Sequence, residues 1–127
     1  MGIDDVLERA RTRLDRVTPE QAYAATASGA VIVDTRPVEQ RRAHGVVPGA
    51  VVIPRNVLEW RVDPTSGWDD PAVTSRPGPV IVMCQEGFAS SLAAATLREA
   101  GLADATDLIG GFEAWKAAGL PVEPEPG

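Results

Sequence analysis

Apolar residues follow two different patterns along the chain. Ile3, Val6, Leu7, Ala10, Leu14 and Val17 recur at spacings of three and four, with Arg9, Arg11, Arg13 and Arg16 off that stripe, which predicts an amphipathic helix over residues 1–17. Such a helix packs on the domain's own surface or, alternatively, forms a dimer contact. Thr18, Pro19 and Gln21 combine a capping hydroxyl, a proline preset for the first helical turn and a reciprocal Gln, so a second helix starts there and stops at Gly29. Three later runs, 30–33, 50–53 and 80–83, are continuously apolar and rich in β-branched residues, as in strands buried on both faces.

Helical stretches at 37–44 and 56–61 separate these runs. Residues 64–73, with Pro64, Gly67, Asp69, Asp70 and Pro71, predict an exposed loop with at most one helical turn. A helix over 90–100 ends at Gly101, and a weaker strand over 106–109 leads through Gly110 and Gly111 into a last helix at 112–118. The polar tail 123–127 is expected to fray. Strands alternating with helices imply parallel pairing in a single layered α/β domain.

The 127 residues carry 12 basic and 18 acidic side chains, a net charge of −6, which argues against general nucleic-acid binding. The imbalance is local. Residues 36–61 sum to +3 and residues 62–127 to −7, so a small anion finds a positive neighbourhood on an acidic protein. Basic residues are almost all Arg, in keeping with a GC-rich bacterial genome. The chain has no apolar run of membrane-spanning length, and its first residues do not have the form of a signal peptide. The expected compartment is therefore cytoplasmic, with no membrane partner. One cysteine and one histidine exclude an internal disulfide and any zinc site with two or more thiolates.

That cysteine, Cys84, directly follows the run 80–83 and precedes a short Gly-containing loop into the next helix. Ligands of open parallel sheets collect outside the carboxyl ends of the strands. A loop running into a helix N-terminus also points several N–H groups at one spot, forming an anion cradle. A thiol on the rim of such a cradle ionises readily, and the thiolate is the nucleophile. The plainer alternative is a buried Cys acting as a small hydrophobe.

At this point the chain resembles the rhodanese-like domain family over residues 18–122. The resemblance rests on the Thr18-Pro19-Glu20 helix start, Val31-Ile32-Val33-Asp34-Thr35-Arg36, and the turn Gly45-Val46-Val47-Pro48-Gly49-Ala50. Further on come Cys84-Gln85-Glu86-Gly87-Phe88-Ala89-Ser90, Gly110-Gly111-Phe112-Glu113-Ala114-Trp115 and Gly119-Leu120-Pro121-Val122. The resemblance implies a parallel five-stranded sheet flanked by helices on both faces, to which the N-terminal helix is an addition. It implies a sulfurtransferase or persulfide carrier in which Cys84 takes a sulfane sulfur from a small donor such as thiosulfate and passes it to a thiol or protein acceptor. Gln85, Glu86, Gly87, Phe88, Ala89 and Ser90 would hold the donor and the persulfide, Arg36 and Arg55 would supply positive charge, and Asp34 would support the site's architecture. No cofactor is implied. The expected assembly is a monomer or a weak homodimer through the N-terminal helix.

Two departures from the family pattern bear on the substrate. Strong thiosulfate-using members commonly have Arg where this chain has Ala89, and the only charge in the loop is Glu86, which repels a dianion. Val46 stands where the family's turn has His, so His44 is expected on the surface of a helix. A non-catalytic module that binds a small anion or a partner protein is the alternative reading. Phosphatase-type relatives need Arg at the position of Ser90 to grip a phosphoryl group. Phe88 is expected to pack under the loop, and Trp60 and Trp68 to anchor core and loop.

Overall fold

The computed structural model describes residues 1–126 and orders them as an alternating α/β chain. Helix α1 spans Ile3–Thr12 and α2 spans Pro19–Ala27; then come β1 (Val31–Asp34), α3 (Val38–His44) and β2 (Val51–Val52). A 3-10 turn at Arg55–Val57 leads into α4 (Leu58–Val62), followed by α5 (Pro71–Thr74), β3 (Val80–Met83), α6 (Ala89–Glu99), β4 (Thr106–Asp107) and α7 (Gly111–Ala117). All strand pairs are parallel, in the order β2-β1-β3-β4, with Ile32 opposite Ile81 and Ile81 opposite Thr106. Chain order reverses between β1 and β3, so a crevice opens beyond their carboxyl ends.

Period-two alternation divides the core between the two faces of the sheet. Val31, Val33, Val80 and Val82 point to one side, where they meet Leu58 and Val62 of α4 and Ala93, Ala94 and Leu97 of α6. Ile32, Ile81 and Met83 point to the other, against Ala22 of α2 and Phe112 and Trp115 of α7. Covering both faces is what makes the runs 30–33 and 80–83 continuously apolar. The α2 start also forms as expected: Thr18 Oγ1 accepts the Gln21 N–H at 3.1 Å, and Gln21 Oε1 accepts the Thr18 N–H at 2.9 Å.

Several expectations need correction. The sheet has four strands, not five. The place of a fifth is held by Val17 alone, which bridges Leu108 in parallel, its N–H on Asp107 O and its carbonyl accepting from Ile109 N–H. Thr18 already caps α2, so the chain leaves the sheet after one residue. The run 50–53 yields only a two-residue strand at the edge of the sheet, with Val52 exposed. The N-terminal helix stops at Thr12, and of its stripe Leu7, Ala10 and, just beyond the helix, Leu14 are buried. It packs against α6, leaving Ile3 and Val6 exposed.

The tail expected to fray is tied down as far as Glu125: Glu123 pairs antiparallel with Val46, and Arg41 holds Glu125 at 3.1 Å. Residue 127 of that tail lies outside the described residues. Trp60 and Trp68 are exposed rather than anchored in the core; at Trp60 this is because α4 turns Leu58 and Val62 inward instead. Among the described residues, no helix is long and apolar enough to cross a membrane.

Candidate active site

Cys84 is the first residue beyond β3, fixed by the fully buried Met83 before it and half-buried itself. The chain then turns through Gln85, Glu86, Gly87 and Phe88 into α6, and Gly87 takes φ +89°, a conformation that side chains with a Cβ rarely adopt. That turn brings the Gly87 N–H onto Cys84 Sγ at 3.2 Å. The N–H groups of Gln85, Glu86, Phe88, Ala89 and Ser90 meet no acceptor among the described residues. A half-buried sulfur beside unspent N–H donors is a site suited to holding a negatively charged adduct.

The loop is held from behind by backbone. Phe112 N–H donates to Cys84 O at 2.9 Å and Glu113 N–H to Gln85 O at 3.1 Å, so the first turn of α7 grips the strand end. That grip requires glycine: a Cβ on Gly111 would lie 2.5 Å from Cys84 O, and one on Gly87 would lie 2.8 Å from the Gly110 nitrogen.

Asp34 and Arg36 form a fully buried pair at 2.8 Å. The Arg36 guanidinium also donates to Gln85 Oε1 and Gly45 O and stacks 4.1 Å from the Phe112 ring. Most of its donors are therefore spent inside the protein, and it steadies Gln85 and the Gly45 turn rather than offering an open charge. Gln85 is buried, its amide nitrogen near Glu113. Ser90 turns its hydroxyl inward to Asp107 at 2.8 Å.

Arg55 reaches the mouth. With Cys84, Thr35, Arg36, Gln40, Gln85, Glu86, Phe88 and Ala89 it lines a hollow of about 250 Å³, and its guanidinium pairs with Glu59 at 2.8 Å. Glu86 and Ala89 are exposed there. Phe88 does not pack under the loop. It is 57% exposed, one side on the hollow and the other near the Arg11 guanidinium, 5.7 Å away. The buried positions of this turn are taken by Gly87 and Ser90, which leaves Phe88 and Ala89 facing out. His44 is exposed on α3, outside this hollow.

Residues not singled out in the sequence complete the support. Asp107, buried, accepts from the hydroxyls of Ser90 and Ser91 and from Arg16. Arg11 and Arg16 both donate to Gly87 O, at 2.8 and 3.2 Å. One signal was available: a carboxylate in a strand, directly before Leu108 and Ile109, demands a cationic or hydroxyl partner once buried. Among the described residues, no group of three or more His, Cys, Asp or Glu is placed to hold a metal.

Residues 18–118 match the family model of the rhodanese-like domain. The thiosulfate sulfurtransferase GlpE of Pseudomonas savastanoi is 35% identical over 106 residues, which cover 84% of this chain and 91% of that protein. GlpE of Pseudomonas fluorescens is 37% identical over 101 residues, covering 80% and 84%. Among solved structures, a protein of unknown function from Rhodopseudomonas palustris, described as a possible tyrosine phosphatase, superposes with a TM-score of 0.86 at 32% identity and covers 97% of this chain and 95% of its own.

Proposed function

Because the chain belongs to the rhodanese-like domain family, we propose that it is a sulfurtransferase that moves sulfane sulfur through a persulfide on Cys84. The observation that carries this reading is the half-buried Cys84 sulfur, bonded to the Gly87 N–H beside a row of unspent amides.

The chemistry runs in two displacements. The Cys84 thiolate attacks the outer sulfur of a donor such as thiosulfate. A new S–S bond forms to Cys84, the donor's S–S bond breaks, and its electron pair leaves with sulfite. The terminal persulfide sulfur then carries the negative charge and takes the N–H groups of the loop, which are fixed before reaction and need no reorganisation. A nucleophilic acceptor, cyanide or a thiolate, attacks that terminal sulfur, and the electron pair returns to Cys84. No redox partner or cofactor enters either step.

Ser90 supports this reading over phosphoryl transfer, because the position that would need a guanidinium fork holds a hydroxyl turned inward to Asp107. Glu86 and Ala89 at the mouth favour weak use of thiosulfate, since a carboxylate replaces positive charge where a dianion must approach. In this reading Arg55 is the charge that meets the donor, and the cytoplasm is the working compartment.

The test is intact mass after incubation with thiosulfate, mercaptopyruvate or a persulfide donor. One added sulfur is expected, removed by cyanide and absent in Cys84→Ser. No adduct with any of the three donors sinks the proposal and leaves a non-catalytic anion-binding module as the better account.

A further inference from the structure

Gly87 is held at both of its backbone polar groups. Its N–H lies on the Cys84 sulfur, and its carbonyl oxygen accepts from two guanidinium groups, Arg11 Nη2 at 2.8 Å and Arg16 Nη2 at 3.2 Å. Both arginines come from the N-terminal segment, at positions that lie off its apolar stripe. Neither side chain hangs freely. Arg11 Nε donates to Ser91 Oγ at 3.1 Å, and Arg16 Nε donates to the buried Asp107 at 2.8 Å. Ser90 and Ser91 both donate to Asp107 as well. The network thus fastens the first turn of α6, the end of β4 and the N-terminal segment to one carbonyl oxygen.

We propose that Arg11 and Arg16 are positioning residues for Cys84, and that the N-terminal segment is part of the active site although it reaches neither the sulfur nor the mouth. The inference rests on the reading of Cys84 as the reactive group. Two physical effects follow from the geometry. Fixing the carbonyl fixes the turn that aims the Gly87 N–H at the sulfur. Drawing electron density toward the same carbonyl also strengthens the N–H across that peptide bond, the Phe88 N–H, which belongs to the open row of donors. The two cations differ in what they leave over. Asp107 offsets Arg16, whereas Arg11 pairs with no carboxylate among the described residues. A net positive charge therefore stands behind a loop whose own side chains contribute only Glu86. This is the charge that the absent loop Arg would otherwise bring, applied through the peptide instead of from the mouth.

The test is the pH dependence of Cys84 alkylation by iodoacetamide, which reads the thiolate without any sulfur donor. Of the other charges around the site, Arg55 and Glu86 line the mouth, Asp34 offsets Arg36, and Glu113 lies beyond Gln85. None is altered by the variants, so a shift reports the Gly87 clamp. Arg11→Met is expected to move the profile up by about one pH unit, making alkylation at neutral pH about tenfold slower. Arg11→Lys, which keeps the charge and one donor, is expected to recover most of that loss. Arg16 also satisfies a buried carboxylate, so the Arg11 variants are the cleaner pair. If Arg11→Met does not fold, Ser91→Ala removes the acceptor that orients Arg11, together with the hydroxyl's own bonds to Gly87 O and Asp107, and is expected to shift the profile in the same direction by less. A folded variant with an unchanged profile, or equal shifts in Arg11→Met and Arg11→Lys, overturns the proposal. Absence of a sulfur adduct on the unmodified protein would instead refute the sulfurtransferase reading, and the alkylation profile separates the two failures.

Discussion

Gly111→Ala isolates the cost of the close approach that holds the active loop. At φ +64° the residue lies in the left-handed region, where a Cβ costs roughly 1 kcal/mol. Space adds a larger penalty, because the new methyl would meet Cys84 O at 2.5 Å and Gln85 O at 2.8 Å. Neither atom is the flexible end of a side chain. The first turn of α7 must draw away from β3, weakening the N–H bonds from Phe112 and Glu113 to those two carbonyls, each worth about 1 kcal/mol. The expected total is about 3 kcal/mol, or a Tm lowered by about 12 °C for a domain of this size. Gly119→Ala is the matched control: φ is +76° and nothing lies within 4 Å of the added Cβ, so only the conformational part, about 1 kcal/mol, applies. Urea unfolding of both variants gives the comparison, and Cys84 alkylation shows whether the loop moved. Gly111→Ala is expected to slow alkylation, and Gly119→Ala to leave it alone. Equal destabilisation by the two would refute the claim that backbone crowding is why glycine stands at 111.

Two other outcomes are expected. Ala89→Arg, which places a cation on the exposed rim of the Cys84 hollow, raises thiosulfate turnover in a cyanide-coupled assay; unchanged or lower turnover contradicts the account of Glu86 and the missing loop charge. Asp107→Asn leaves Arg16 without its carboxylate and weakens the acceptors of two buried hydroxyls, which costs about 3 kcal/mol by denaturant titration, allowing for the partial exposure of Arg16.

What could be read from the chain was whatever depends on neighbours in sequence. The α2 cap is three residues wide, and the runs at 30–33 and 80–83 record a sheet covered on both sides. The position of Cys84 follows from the strand before it and the glycine after it. What could not be read depends on partners far along the chain. Arg11 and Arg16 are separated from Gly87 by 76 and 71 residues, and nothing local distinguishes them from Arg9 or Arg13. Arg36 was expected to offer charge, and only the fold shows that Asp34, Gln85 and Gly45 consume it. Phe88, Trp60 and Trp68 were assigned inward on hydrophobicity alone, a rule that fails where neighbouring residues already take the inward positions. The fifth strand failed for a local reason: the capping box that makes α2 legible also ends the pairing of Val17.

The last residues of the chain bear on how the protein can be handled. Glu123 is zipped to Val46, the side chain of Val122 crowds Gly45 from outside, and the Gly45 carbonyl is in turn a partner of Arg36, which holds Gln85. A tether at the carboxyl terminus therefore pulls on a lever whose short arm ends beside the reactive sulfur, whereas one at the amino terminus loads α1 and its Arg11. A carboxyl-terminal truncation at Pro121 is expected to quicken amide hydrogen exchange at Phe112 and Glu113, whose N–H groups are bonded to Cys84 O and Gln85 O, and unchanged exchange there would show that the lever is slack.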